Sequence, residues 1–145
     1  MTKKQKQFLT GKLSQFILRE QGKGFGMSGW LRNEEPGYIV NRDNIARPVP
    51  ACGTVACIGG SVQHLLGCFP QDDVIVIELG LTWEKASGLF YGWEVPSRGE
   101  YGWPQKFKTR YAKAKTTLGK AKVAVALLKE VARTNGKCLG PHKVK

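Results

Sequence analysis

The sequence predicts a mainly α-helical small domain of three to five helices, with loops rich in glycine and aromatic residues and room for one short strand pair. Three observations carry that expectation. Apolar residues recur at helical spacing in segments 3–20, 53–66, 82–91 and 117–135. The 18 glycines of the 145-residue chain cluster mainly in the stretches between them. Apolar residues make up 41% of the chain, enough for one core, yet no apolar run nears the ~20 residues that span a bilayer.

Residues 3–20 read as an amphipathic helix. Leu9, Leu13, Phe16 and Ile17 recur at helical spacing with Phe8 beside them, and Gly11 is a weak point worth up to about 1 kcal/mol against alanine. The glycines that follow (Gly22, Gly24, Gly26, Gly29) resemble a phosphate-cradling loop in composition only. Such a loop needs a strand before it and a helix after it, and here a helix precedes. Trp30, Leu31, Tyr38, Ile39 and Val40 are expected to fold over the core, and residues 37–50 to give a strand pair or extended loop. Pro48 and Pro50 exclude a helix immediately before Cys52.

Segment 53–66 reads as a helix with Thr54 as N-cap and Gly67 as stop. Val55, Ile58, Val62, Leu65 and Leu66 share one face, while Cys57, Ser61, His64 and Cys68 line a second. Ala56, Gly59 and Gly60 fill the remainder, which predicts burial on both sides. The stretch from Val74 to Gly80 fits either strand or helix, and Thr82 opens a short helix through Ala86, Leu89 and Phe90. "YGW" occurs at 91–93 and again at 101–103. It reads as an aromatic loop closing the core, with a stacking platform for bases or sugars as the alternative. The last helix is expected from a cap at Thr117 to a stop at Gly136, with Ala121, Ala124, Val125, Leu128, Val131 and Ala132 buried. Residues 1–138 form the expected domain and 139–145 a flexible basic tail.

Charge is distributed unevenly. The net charge is +12. Residues 48–97 hold one Lys and five acids, whereas residues 98–145 hold thirteen Lys/Arg and two acids. A basic end of this kind attracts polyanions: nucleic acid, an anionic surface or an acidic protein. Segment 105–115 interleaves its cations with Phe107 and Tyr111. The candidate nucleic-acid-binding residues are therefore Lys106, Lys108, Arg110, Tyr111, Lys113, Lys115, Lys120 and Lys122, with Tyr111 or Phe107 stacking on bases.

Catalysis has thin support. Cys52 precedes the expected start of a helix, where exposed N–H groups favour a thiolate. Its nearest histidine in sequence, His64, lies roughly 15 Å or more along that helix, too far to activate it. Cys52, Cys57, His64 and Cys68 have zinc-ligating chemistry, but the last three spread over about 16 Å of one helix. The reading adopted is that Cys52 and Cys57 are small buried packers. A Cys52–Cys57 disulfide and a thiol- or zinc-dependent role remain as alternatives. No catalytic residue, metal site or cofactor is assigned.

Several of these stretches together resemble a family of small, mostly uncharacterised proteins found in bacteria and their phages. They are "FGMSGW" (25–30), "CGTVACIGG" (52–60), "LGLTWEKASGLFYG" (79–92), "WP" (103–104) and the final amphipathic helix, covering residues 20–135 in order. The basic first helix, the second YGW and the lysines of 105–115 depart from that pattern. The resemblance implies a small helical fold and a phage or mobile-element setting, with no activity or site residues to carry over. The N-terminus has charge but no continuous apolar stretch, so a cytoplasmic location is expected. The expected function is non-enzymatic binding of an anionic partner through the first and last helices and segment 105–115, nucleic acid read with low sequence specificity. The alternative is an accessory protein that binds and inhibits a host protein through an acidic surface.

Overall fold

The computed structural model describes residues 1–23, 25–27, 31–33, 54–66, 73–93 and 100–142, and the fold among them is mainly helical. Thr2 opens the N-terminal helix with a reciprocal capping box: its hydroxyl accepts from the Gln5 N–H, and the Gln5 side chain accepts from the Thr2 N–H. The helix runs through α1 (Lys3–Gln7), a π-helical segment (Phe8–Leu13) and α2 (Ser14–Leu18). The wide turn centres on Gly11, the weak point of the sequence. There the Ser14 hydroxyl donates to the Leu9 carbonyl at 2.6 Å, five residues back. Leu9, Leu13 and Ile17 are fully buried, as their spacing predicts.

Next comes a tight 3₁₀ turn, Arg19–Gly22, with Glu20, Gln21 and Gly22 all at positive φ. A Cβ on Gly22 would lie 2.9 Å from Leu118 Cα. This first glycine of the glycine-rich stretch thus serves close packing onto the last helix. Gly24 and Gly29 lie outside the described residues, as do Trp30, residues 37–50, Cys52, Gly67 and Cys68.

A strand pair is present, but it pairs different residues from those expected. β1 (Leu31–Asn33) runs antiparallel to β2 (Thr54–Ala56), with Arg32 opposite Val55. Thr54 is therefore a strand residue and not a helix cap. The helix α3 (Ile58–Leu66) starts after Cys57, whose sulfur accepts from the Gly60 N–H at 3.3 Å and does the work assigned to Thr54. β-branched Thr54 and Val55 favour the extended state. Ile58 through Gln63 are all buried, as the two-sided pattern predicts.

The ambiguous stretch at Val74 is a helix, α4 (Asp73–Leu79), ended by Gly80 at φ +68. Then come α5 (Trp83–Tyr91), capped by Thr82 as expected, and α6 (Gln105–Lys113), which follows Pro104. α7 (Thr117–Arg133) is capped by Thr116, one residue before the expected Thr117. The described residues thus contain six helices, counting the N-terminal one as continuous. The basic segment 105–115 supplies a helix of its own, because Phe107, Lys108 and Tyr111 form a buried inner face.

α7 is the central element. The six residues of its expected stripe are buried, and so are Val123 and Leu127. The N-terminal helix and the 3₁₀ turn after it pack on α7, where Gly22 meets Leu118 and Ala121. α6 packs on α7 as well.

The second YGW belongs to the core. Trp103 is only 1% exposed, and its indole N–H donates to the Leu89 carbonyl at 2.8 Å. Its ring meets Tyr111 edge-on at 5.4 Å between centroids; Trp93 and Phe25 approach the same tyrosine. A Cβ on Gly88 would lie 2.7 Å from the Gly102 nitrogen, so the loop crosses α5 in backbone contact.

Residues 139–142 of the expected tail pack on the fold. Leu139 is fully buried, and its carbonyl accepts from the Gly102 N–H at 3.0 Å. The His142 N–H donates to the Glu100 carbonyl at 2.7 Å, and its ring nitrogen lies 2.9 Å from the Gly102 carbonyl. Residues 143–145 lie outside the described residues. Among the described residues, no helix is long and apolar enough to cross a membrane.

Candidate polyanion interface

α6 and α7 form an antiparallel hairpin joined by Ala114–Thr116. One ring contact and one longer-range charge effect orient them. Lys120 of α7 lies over the Tyr111 ring at 5.4 Å, and Lys106 of α6 is near enough to act electrostatically on Glu130 of α7 without forming an ion pair. Successive helical residues turn by about 100°, so these pairs mark opposite edges of the seam. Tyr111 and Lys120 share one edge; Lys106 and Glu130 share the other.

The solvent face is built around the second edge. On α6, Lys106, Arg110 and Lys113 stand at i, i+4 and i+7, opposite the buried Phe107, Lys108 and Tyr111. On α7, Lys122, Lys129 and Arg133 stand at i, i+7 and i+11 and are all exposed. Both rows lie on the Glu130 side of the seam. Glu130 is the one acid between residues 105 and 133, against nine Lys and Arg. It is already engaged: the Arg133 Nε–H donates to it at 2.9 Å, closing an ion pair. Those hydrogen bonds hold its carboxyl below the ordinary range, and the charges of Arg133 and Lys106 act in the same direction. Within this hairpin no other carboxylate competes for the cations.

The predicted site residues divide accordingly. Lys106, Arg110, Lys113 and Lys122 are brought together on one face. Lys115 is exposed in the connecting turn. Lys120 sits on the opposite edge, over Tyr111. Lys108 is only 4% exposed, and burial lowers its pKa, so its place is in the interior.

The expected base stacking is revised. Phe107 and Tyr111 are 4% and 5% exposed, and the Tyr111 hydroxyl accepts from the Met27 N–H at 3.1 Å. Lys106 and Arg110 instead lie 5.2 and 5.6 Å from the Phe107 ring, which helps to position both charges. Among the described residues the exposed large aromatics, Trp83 and Tyr91, belong to α5.

Sequence reasoning passed over Lys129 and Arg133 as interface residues, although their spacing from Lys122 is a helical stripe. It also placed the first helix in the interface. Its exposed Lys3, Lys4 and Lys12 belong to a separate helix and not to the α6–α7 hairpin.

The thiol chemistry separates in the same physical terms. Cys57 is 2% exposed at the start of α3. Burial pushes its pKa up to about 11, outweighing the Gly60 and Gly59 N–H groups that pull it down. At neutral pH it is a packed, protonated thiol, as the packing reading expected. His64 stacks on Phe16 at 4.8 Å between centroids, and burial, with the Arg19 charge, lowers its pKa. Among the described residues, no three His, Cys, Asp or Glu side chains gather where a metal could bind. Cys52 and Cys68 lie outside those residues.

The fold and surface thus define a mainly helical, basic domain with a cation-rich hairpin face. Comparison of the chain with protein-family models, curated proteins and solved structures finds no match in any of the three.

Proposed function

We propose that the protein binds nucleic acid without catalysis, through the solvent face of α6 and α7, by contacting phosphates rather than reading bases. One observation carries the reading. Lys106, Arg110, Lys113, Lys122, Lys129 and Arg133 share a face whose one carboxylate among the described residues, Glu130, is paired with Arg133, which leaves five cations without an acid partner there. Cations so arranged release the counterions condensed on a polyanion, and this supplies affinity without sequence information. The cytoplasmic and phage-type setting belongs to the same proposal, since nucleic acid is the abundant polyanion there.

The test is a salt titration of binding to a mixed-sequence DNA. With about five phosphate contacts from the cations not held by Glu130, affinity should fall on the order of 500-fold between 50 and 200 mM salt. An affinity that stays level over that range would rule the mechanism out. An acidic protein surface would meet the same face, so capture from a lysate that survives nuclease treatment would favour a protein partner instead.

A further inference from the structure

Resting on the proposed nucleic-acid reading, we infer that the ligand is double-stranded DNA, straddled by the hairpin with one cation row on each backbone strand. Two features point to a duplex. The first is that the cations form two rows and not one track. Lys106, Arg110 and Lys113 extend about 10 Å along α6, and Lys122, Lys129 and Arg133 about 16 Å along α7, at 1.5 Å per residue. Packed helices lie about 8–10 Å apart, and the rows inherit a separation of that order. That is a few ångströms wider than the roughly 6 Å minor groove, a gap that long lysine and arginine side chains span to reach the phosphates on its two sides. Ala126, Gly119 and Glu130 lie between the rows on α7; the first two leave room for close approach, and the Glu130 carboxylate is neutralised by Arg133.

The second feature is the burial of the interleaved aromatics. Proteins that hold single strands add exposed rings on which bases stack. Here Phe107 and Tyr111 face inward and Trp103 is packed under α5. Among the described residues, this face has charge and no stacking platform. Phosphate contact across a groove is what remains, and it is indifferent to sequence.

The test measures binding of the full chain to a 20-base-pair DNA duplex and to a single strand of the same length, by fluorescence anisotropy at several salt concentrations. The duplex should bind at least tenfold tighter, whatever its sequence, with a slope of log K against log salt of about −4.5 for five contacts (about −0.9 each). Lys122→Gln should reduce that slope by about one, whereas Lys120→Gln, on the opposite edge, should leave it unchanged. Equal or tighter binding of the single strand would overturn the duplex inference and leave the nucleic-acid reading standing. Equal effects of the two substitutions would overturn the two-row geometry. Failure to bind either DNA at low salt would defeat the reading beneath both.

Discussion

Replacing Lys106, Arg110 and Lys113 together by glutamine should weaken DNA binding by about 10²–10³-fold at ~0.1 M salt, because three phosphate contacts and their released counterions are lost. Melting of the free protein should scarcely change. All three side chains are exposed, glutamine matches lysine and arginine closely in helix propensity, and none of the three makes an ion pair with an acid among the described residues. Binding isotherms at one fixed salt concentration, with circular dichroism of the same samples, separate the two effects. Unchanged affinity would place the interface elsewhere. Loss of helical signal would show that the row holds the hairpin together, contrary to its solvent position.

The second large effect lies in the core. Trp103→Ala should cost about 3–5 kcal/mol, the usual range for truncating a buried tryptophan, and it also leaves the Leu89 carbonyl without its indole donor. The ring joins α5 to Tyr111 of α6, so its removal opens the support beneath the binding face. Denaturant unfolding followed by circular dichroism reads the change as a lower midpoint. Trp103→Phe keeps a ring but no donor and should fall between alanine and the native residue. A loss below about 1 kcal/mol for the alanine variant would mean that the second YGW is a surface loop.

How much of this was legible in the sequence depended on whether the signal was periodic. The buried stripes of the first and last helices could be read directly, because Leu9, Leu13 and Ile17, and Ala121 through Ala132, repeat at helical spacing. The start of α3 was misread because Thr54 has the chemistry of a cap. Its strand partner at 31–33 is too distant in sequence to be seen locally. Cys57 replaces it with a sulfur acceptor, an uncommon cap. The position of Cys52 and Cys57 near a helix start suggested a reactive thiol. For Cys57, burial outweighs the helix start, and burial is a tertiary property.

The interface was legible as composition and not as geometry. Charge counts marked 105–122 as basic but could not tell that Lys108 and Tyr111 face inward while Lys113 faces outward. Periodicity alone could have assigned them, since Phe107 and Tyr111 are i and i+4 and leave Lys106, Arg110 and Lys113 opposite. The relation of α6 to α7 needed the fold. Only the nearness of Lys106 to Glu130 and the contact of Lys120 with Tyr111 show which edge carries both rows.

The central claim, that one face of the α6–α7 hairpin carries the cations that meet the polyanion, is tested most directly by amine labelling of lysines with and without DNA, read by mass spectrometry. Lys106, Lys113, Lys122 and Lys129 should label more slowly in the complex, while Lys120 and Lys85 keep the rates of the free protein. Protection concentrated at Lys3, Lys4 and Lys12, with the hairpin lysines still labelled at their free rates, would contradict it.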